Sequence, residues 1–466
     1  MAGLRETLER EVKLSPGKRF EMPELGGEAL ISRVFVSTYH DTPELRLARS
    51  GLTLRHRVEN GRGVWQLKLP SGDSRRELEE AGPARTVPPH LVALLPALVR
   101  GTRLVPVARL RTRRDGLRVD GAEVVHDVVS VLDGRQVART FDELEVELVE
   151  GDERTLRRLE KALRRAGARD GESRPKLFRA LDFSDAPDLD EPAADGPATK
   201  RIAGALGLQY RRLLAHDPGT RLGVDPESLH QLRVATRRSR AFLRAARPLL
   251  DPVWADDLRA ELGWLGGVLG PVRDLDVLTA RLRGESAGLG EDGDGGKAIL
   301  GALGRERTAS RRRLARALGS ARYFALLDRL EAAADPPLAD PSPDLSLAAI
   351  WRAEHSILKK AVTRLGEAPG DDDLHAVRIK VKRARYAAEL ARLEPYVRAA
   401  KALQDVLGEH QDSVVAEARL RGVAAGRPET AIAAGRLVER EHERRASAAA
   451  AWQKRWTRLA REAKRV

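Results

Sequence analysis

Charged and apolar residues alternate through the first 184 residues of this chain, and from residue 199 onward they recur at helical spacing instead. A period of two belongs to a strand with one charged and one apolar face, and a period near 3.6 to a helix. The change of period therefore sets two domains of different class before any motif is considered. The runs FVSTYHDT, LTLRHRVEN, VWQLKLP, RLRTRRDGLRV and FDELEVELV are short and broken by Gly, Pro, Asn and Asp, as strands are. Residues 183–200, FSDAPDLDEPAADGPATK, have no periodicity and read as an exposed linker. The expected organisation is α+β: a sheet domain over 1–184, a flexible linker over 185–198 and an all-α domain over 199–466.

The helical half repeats itself. HQLRVATRRSRAFLRAARPLL (230–250) returns 145 residues later as HAVRIKVKRARYAAEL (375–390). His230, Arg233, Arg237, Arg238 and Arg240 fall on His375, Arg378, Lys382, Arg383 and Arg385, while Arg244 falls on Glu389. A second echo pairs LGGVLGPVRD (265–274) with LQDVLGEHQD (403–412), each about 30 residues past its basic stretch. The spacing predicts a duplicated bundle, with halves of about four helices over roughly 199–335 and 344–466. At about 100° per residue, His230, Arg233, Arg237, Arg240 and Arg244 lie within roughly 80° of one another, opposite Leu232, Phe242 and Leu243. A solvated face mixes signs to gain i,i+4 pairs, and the first stripe holds no acid. An anion-binding surface is expected on the two basic helices, brought together by the repeat.

Lys and Arg number 83 against 69 Asp and Glu, a net charge of +14. Anionic partners therefore come first: nucleic acid, a membrane surface or a polyanionic metabolite. The absence of cysteine excludes disulfide scaffolds, thiolate catalysis and thiolate metal sites. MAGLRETLER has no apolar signal core, and the longest apolar run, LVALLPALV at 91–99, contains Pro96 and is far short of the ~20 residues of a spanning helix. The expected place is the cytoplasm, with no membrane insertion.

In the strand half, Glu9, Glu11 and Lys13 share one face, as do Arg55 with Arg57, Arg111 with Arg113, and Glu143, Glu145 and Glu147. Lys68 sits between Leu67 and Leu69. Such faces suit either a half-exposed sheet or a closed barrel with charges inward and helices such as 88–99 and 153–167 outside. A ring of both signs facing inward is costly unless the lumen is wet and occupied. Clustered cations suit phosphate oxygens, and clustered carboxylates suit a hard divalent cation that also takes substrate phosphates.

The ExExK of 9–13, followed in order by YHDT (39–42), LRHR (54–57), WQLKLP (65–70), RTR (111–113), HD (126–127) and ELEVE (143–147), resembles the CYTH domain of the triphosphate tunnel metalloenzymes over about residues 1–182. The paired HxxRxxxRRxR and HxxRxxxKRxR resemble the CHAD domain over about 199–466. The first resemblance implies an antiparallel eight-stranded tunnel that hydrolyses inorganic triphosphate or a related triphosphate with Mg²⁺ or Mn²⁺. Glu9 and Glu11 would be catalytic and, with Asp127, Glu145 and Glu147, would support the metal. Lys13, Arg55, Arg57, Lys68, Arg111, Arg113 and Lys176 would bind phosphates; the general base is left open. The second resemblance implies a bundle that binds inorganic polyphosphate through His230, Arg233, Arg237, Arg238, Arg240, His375, Arg378, Lys382, Arg383 and Arg385. It also makes polyphosphate granules an expected location. Each basic helix opens on one His without an i+4 partner His, so the histidines are expected to bond phosphate rather than metal. His410 and Asp412 are expected to organise the bundle.

Two other functions fit parts of this pattern. A non-enzymatic polyphosphate binder would have a tunnel that binds without turnover. A nucleic-acid-binding protein would fit the charge, but no aromatic platform or groove-reading motif accompanies it.

Overall fold

The structure, a computed structural model, describes residues 4–71, 74–171, 174–182, 197–339 and 345–466. It divides into two compact units, Met1–Asp188 with Leu214–Leu222, and Leu189–Leu213 with Gly223–Val466. The expected linker lies outside the described residues as far as residue 196, and a helix begins at Ala198.

The first unit is an antiparallel sheet closed on itself. Its strands are β1 (Arg5–Glu9), β2 (Glu11–Ser15), β3 (Glu28–Ala29), β4 (Arg33–Asp41), β5 (Thr53–Glu59), β6 (Arg62–Ser71), β7 (Ser74–Ala81), β8 (Val105–Val119), β9 (Ala122–Asp133), β10 (Gln136–Leu148) and β11 (Arg169–Asp170). Two hairpins turn on residue pairs with positive φ, Asn60-Gly61 between β5 and β6 and Asp120-Gly121 between β8 and β9. That turn geometry matches the right-handed twist of the flanking strands.

Closure comes from the start of the chain. β1 pairs with β7, with Glu9 opposite Arg75, while β2 pairs with β10, with Glu11 opposite Glu147. The first strand, split at Arg10, thus takes up both free edges, and no long edge is left open. Counted once, it makes an eight-stranded barrel with β4 to β10. On the outer wall Leu14, Val124, Leu144 and Val146 pack under Leu156, Leu159 and Leu163 of the helix Glu153–Arg165. Each such leucine contributes roughly 1.5–3 kcal/mol by leaving water. Segment 88–99 forms two short helices, Pro89–Val92 and Pro96–Val99, rather than one, because Pro96 has no N–H to continue the first.

The second unit is helical. In its first repeat the helix Ala198–Leu222, as far as Leu213, the basic helix Pro226–Ala246 and Pro252–Ser286 are followed by Gly293–Leu318 and Ala321–Ala332. In its second, Leu347–Thr363, the basic helix Asp371–Ala391 and Glu394–Gly426 are followed by Ala431–Ala463. The first repeat has five helices rather than four, because the chain breaks at Gly319 and Ser320 then caps a new helix by accepting from the Tyr323 N–H. The two basic helices touch: Arg237 donates to the Tyr386 hydroxyl at 3.1 Å, and Phe242 meets Tyr386 edge-on with ring centroids 6.0 Å apart. Among the described residues no helix is long and apolar enough to cross a membrane.

Candidate functional sites

Alternation along the strands fills the barrel with charge. A cavity of about 450 Å³ is lined by nine basic side chains and eight acidic ones, among them Glu9, Glu11, Lys13, Arg55, Arg57, Lys68, Asp127, Glu145, Glu147 and Lys176. Lys176 arrives on the helix Lys176–Leu181, seated by packing of Leu177 and Phe178 against Tyr39, Leu110 and Val129.

The charges fall into two groups. In the first, Lys176 Nζ reaches Asp127, Glu143 and Glu145 at 3.0, 2.9 and 2.7 Å, and Lys13 reaches Glu143 and Glu145 at 3.3 Å. Arg114 grips Asp127 with two bonds of 2.7 and 2.6 Å and donates to Glu145 at 2.6 Å. Burial works to lower both lysines, but the carboxylates outweigh it and hold Lys13 above its ordinary value and Lys176 well above. By the same pairing Glu145 stays well below the usual carboxylate range despite its burial. This cluster is internally neutralised.

The second group is not. Lys68 Nζ lies 2.7 Å from both oxygens of Glu9, yet burial still leaves the Glu9 carboxyl raised. Glu147, opposite Glu11 in the sheet, has no ion pair among the described residues. Burial and then the Glu9 charge push it up to about 7. Arg55 donates to Gln66 at 2.6 Å and Tyr39 at 3.2 Å, and Arg57 lies 3.8 Å from the Phe35 ring and pairs with Glu59.

Arg111 and Arg113, expected at the phosphates, are exposed on the outer wall opposite Val36 and Val34 and do not line this cavity. The run RTRR offers basic residues of both parities, and the register turns Arg114 inward, directly opposite Asp127. Arg114, Glu77 and Arg33 are lining residues that the sequence reading missed. Only pairing across strands could have supplied the signal, and periodicity within one strand does not carry it.

The donor set fits a hard divalent cation on one side of the lumen. Glu9, Glu11 and Glu147 are three carboxylates with two ammonium groups nearby, Lys68 at Glu9 and Lys13 at 3.5 Å from Glu11, whereas Asp127 and Glu145 already have oxygens held by Arg114 and Lys176. Among the described residues no three such side chains are gathered at ligand distances. A hard divalent cation that acts on phosphates takes few carboxylates and completes its shell with water and phosphate oxygens.

The basic helices enclose a second cavity, of about 260 Å³, lined by Arg237, Arg240, Arg244, Arg259, Lys382, Arg383 and Tyr386 with one acid, Glu354. Burial, then Arg378, Arg237 and Arg233, bring Lys382 down to about 7. Arg383 Nε, Arg378 Nε and His375 Nδ1 are buried without a hydrogen-bond partner among the described residues. Arg238 pairs with Glu389 at 2.8 Å and so helps join the helices, whereas Arg385 lies 3.6 Å from the same acid and over the Tyr386 ring, both on its own helix. His230, half-buried, is lowered by burial and then by Arg273. His410 lies 3.2 Å from Asp371, which opens the second basic helix.

Residues 7–176 match the CYTH domain and residues 204–421 match the CHAD domain. The chain is 32% identical over 460 residues to an uncharacterized protein of Mycobacterium tuberculosis, covering 89% of this chain and 88% of that one. It is 33% identical over 97 residues to human thiamine-triphosphatase, covering 21% of this chain and 41% of that protein. The crystal structure of the CHAD domain from the plant Ricinus communis is 28% identical, with a TM-score of 0.49, and covers 59% of this chain and 95% of that one. A closed tunnel lined with both signs of charge, followed by a duplicated helical bundle, makes this a two-module protein. The chain belongs to the CYTH–CHAD family.

Proposed function

We propose that the tunnel hydrolyses inorganic triphosphate, or a related triphosphate, with Mg²⁺ or Mn²⁺, and that the groove between the basic helices holds inorganic polyphosphate. The observation that carries the first half is the near balance of the lining, nine bases against eight acids. A triphosphate entering such a lumen adds several negative charges, and a divalent cation beside Glu9, Glu11 and Glu147 would offset part of them. The relatedness to human thiamine-triphosphatase supports the same class of reaction.

Lys68, Arg55 and Arg57 stand free of the neutralised cluster and would bind the phosphate oxygens by charge-assisted hydrogen bonds. The cluster of Lys13, Lys176, Arg114, Asp127, Glu143 and Glu145 would hold the wall rigid and orient the phosphates. A bound cation would supply charge neutralisation at the phosphoryl group, which such transfers require. The buried and unpartnered donors of Arg378, Arg383 and His375 support polyphosphate in the groove, since they lack the acceptors that phosphate oxygens supply.

The deciding experiment gives purified protein tripolyphosphate with Mg²⁺ or Mn²⁺ and measures phosphate release. Metal-dependent release is expected. Its absence, with polyphosphate still bound, would leave a binding protein without turnover.

A further inference from the structure

Two acids stand beside the leading arginines of the basic helices, where a polyanion has no direct use for them. On the helix Pro252–Ser286, Gly270 and Asp274 are four residues apart and share a face; on Glu394–Gly426, Gly408 and Asp412 repeat the spacing. Each pair lies against the leading arginine of its own basic helix. A Cβ on Gly270 would stand 3.7 Å from Arg233 Nη2, and one on Gly408 would stand 3.6 Å from Arg378 Nη2. Arg233 Nη2 donates to Asp274 at 3.3 Å. Burial lowers Arg378, and the Asp412 charge is what opposes that. In both halves a guanidinium thus lies on a glycine one helical turn before a carboxylate; Asp274 bonds its arginine, whereas Asp412 makes no ion pair with Arg378 among the described residues and acts on it through its charge.

The geometry points to Asp274 as a positioning residue for Arg233, with Asp412 as its counterpart in the second repeat, so that the remaining N–H groups of Arg233 and Arg378 face the phosphate chain. This rests on the proposal that the groove binds polyphosphate. A guanidinium has five donors, and Arg378 keeps a buried Nε without a partner for a phosphate oxygen. The glycines let it lie flat: a Cβ there would already be in contact with the guanidinium, so a side chain reaching beyond Cβ would displace it.

Electrostatics alone and positioning forecast opposite signs. Removing a negative charge beside a polyanion should tighten binding, whereas releasing the arginine should weaken it. The test uses the full chain, long-chain inorganic polyphosphate and metal-free buffer over a range of salt. For Asp274→Asn with Asp412→Asn, at least a tenfold loss of affinity is expected. The slope of log affinity against log salt should shrink by about two, one for each phosphate that the two arginines no longer engage. Restoring the charge as Glu at both positions should recover part of the affinity. Gly270→Leu with Gly408→Leu should also weaken binding, with thermal stability measured alongside because both glycines are buried and the gain in helix propensity is opposed by crowding. That pair keeps the test decisive if the Asn variant folds poorly. Wild-type or tighter binding by the Asn variant, or by the Leu variant, overturns the positioning role and leaves the groove intact. Failure of the wild-type chain to bind polyphosphate would overturn the groove and this inference with it.

Discussion

The inward turn of Arg114 separates two pictures of the tunnel, so the informative comparison is Arg114→Gln against the double variant Arg111→Gln, Arg113→Gln. Arg114 makes two bonds to Asp127, which is fully buried, and one to Glu145. Removing one partner of a buried pair costs roughly 3–5 kcal/mol. Lys176 remains 3.0 Å from Asp127, which argues for the lower end, about 3 kcal/mol. For a unit of this size that is a fall in Tm of roughly 6–12 °C. If Arg114 also binds phosphate, losing a charge-assisted bond of roughly 1.5–3 kcal/mol lowers kcat/KM by about 10- to 150-fold. The double variant removes two outward side chains, one of them in an exposed pair with Asp115, and a pair of that kind contributes about 0–1 kcal/mol. Its Tm should stay within about 2 °C of wild type and its phosphate release should be unchanged. Calorimetry and a phosphate-release assay read both variants. A double variant that loses activity while Arg114→Gln keeps both activity and Tm would refute the register of β8. The stability comparison holds whether or not triphosphate is turned over.

Glu11→Gln should abolish metal-dependent phosphate release with little change in Tm, since Glu11 has only a 3.5 Å pairing with Lys13 to lose; full activity would remove it from the site. Polyphosphate affinity should fall as pH rises above about 7, because the charged form of Lys382 binds the anion and is lost through that value until the bound state's higher pKa is passed. Lys382→Arg, matching Arg237 of the first repeat, should flatten that part of a titration between pH 6 and 9, taken as about one unit either side of the shift and beyond. Replacing Arg233, Arg237 and Arg378 together by Ala should remove much of the affinity for polyphosphate and make it less sensitive to salt, and a wild-type isotherm would clear those residues of a role.

Much of this architecture could be read from one-dimensional order. Period two over the first 184 residues and the Asn-Gly and Asp-Gly turns specify hairpins locally. Lys68, flanked by Leu67 and Leu69, has only one parity available, so its place on the face opposite the leucines was legible. Arg113 and Arg114 are neighbours, and two basic residues in succession leave parity to a partner strand, here through Asp127. Closure of the barrel was equally hidden, because it depends on Arg10 breaking one strand between two different partners. In the bundle the sequence revealed that Glu389 breaks the symmetry of the stripes. It did not reveal that Glu389 would draw in Arg238 of the other basic helix and Arg385 of its own, turning two expected phosphate ligands toward one acid.

The split first strand also has a bearing on how the protein is made. Lys13 and Glu143 meet across 130 residues of chain, and pairings so distant in sequence form slowly because a large loop must close first. During synthesis β1, with Glu9, must wait for β7, and β2, with Glu11 and Lys13, must wait longer still, until β10 leaves the ribosome. The alternating charges on that waiting segment keep it from pairing with other nascent chains, as charges on sheet edges do. The residues that would serve the phosphates in the finished tunnel thus also protect the chain before the tunnel exists, and trimming the first dozen residues should trap the barrel open as an aggregating species.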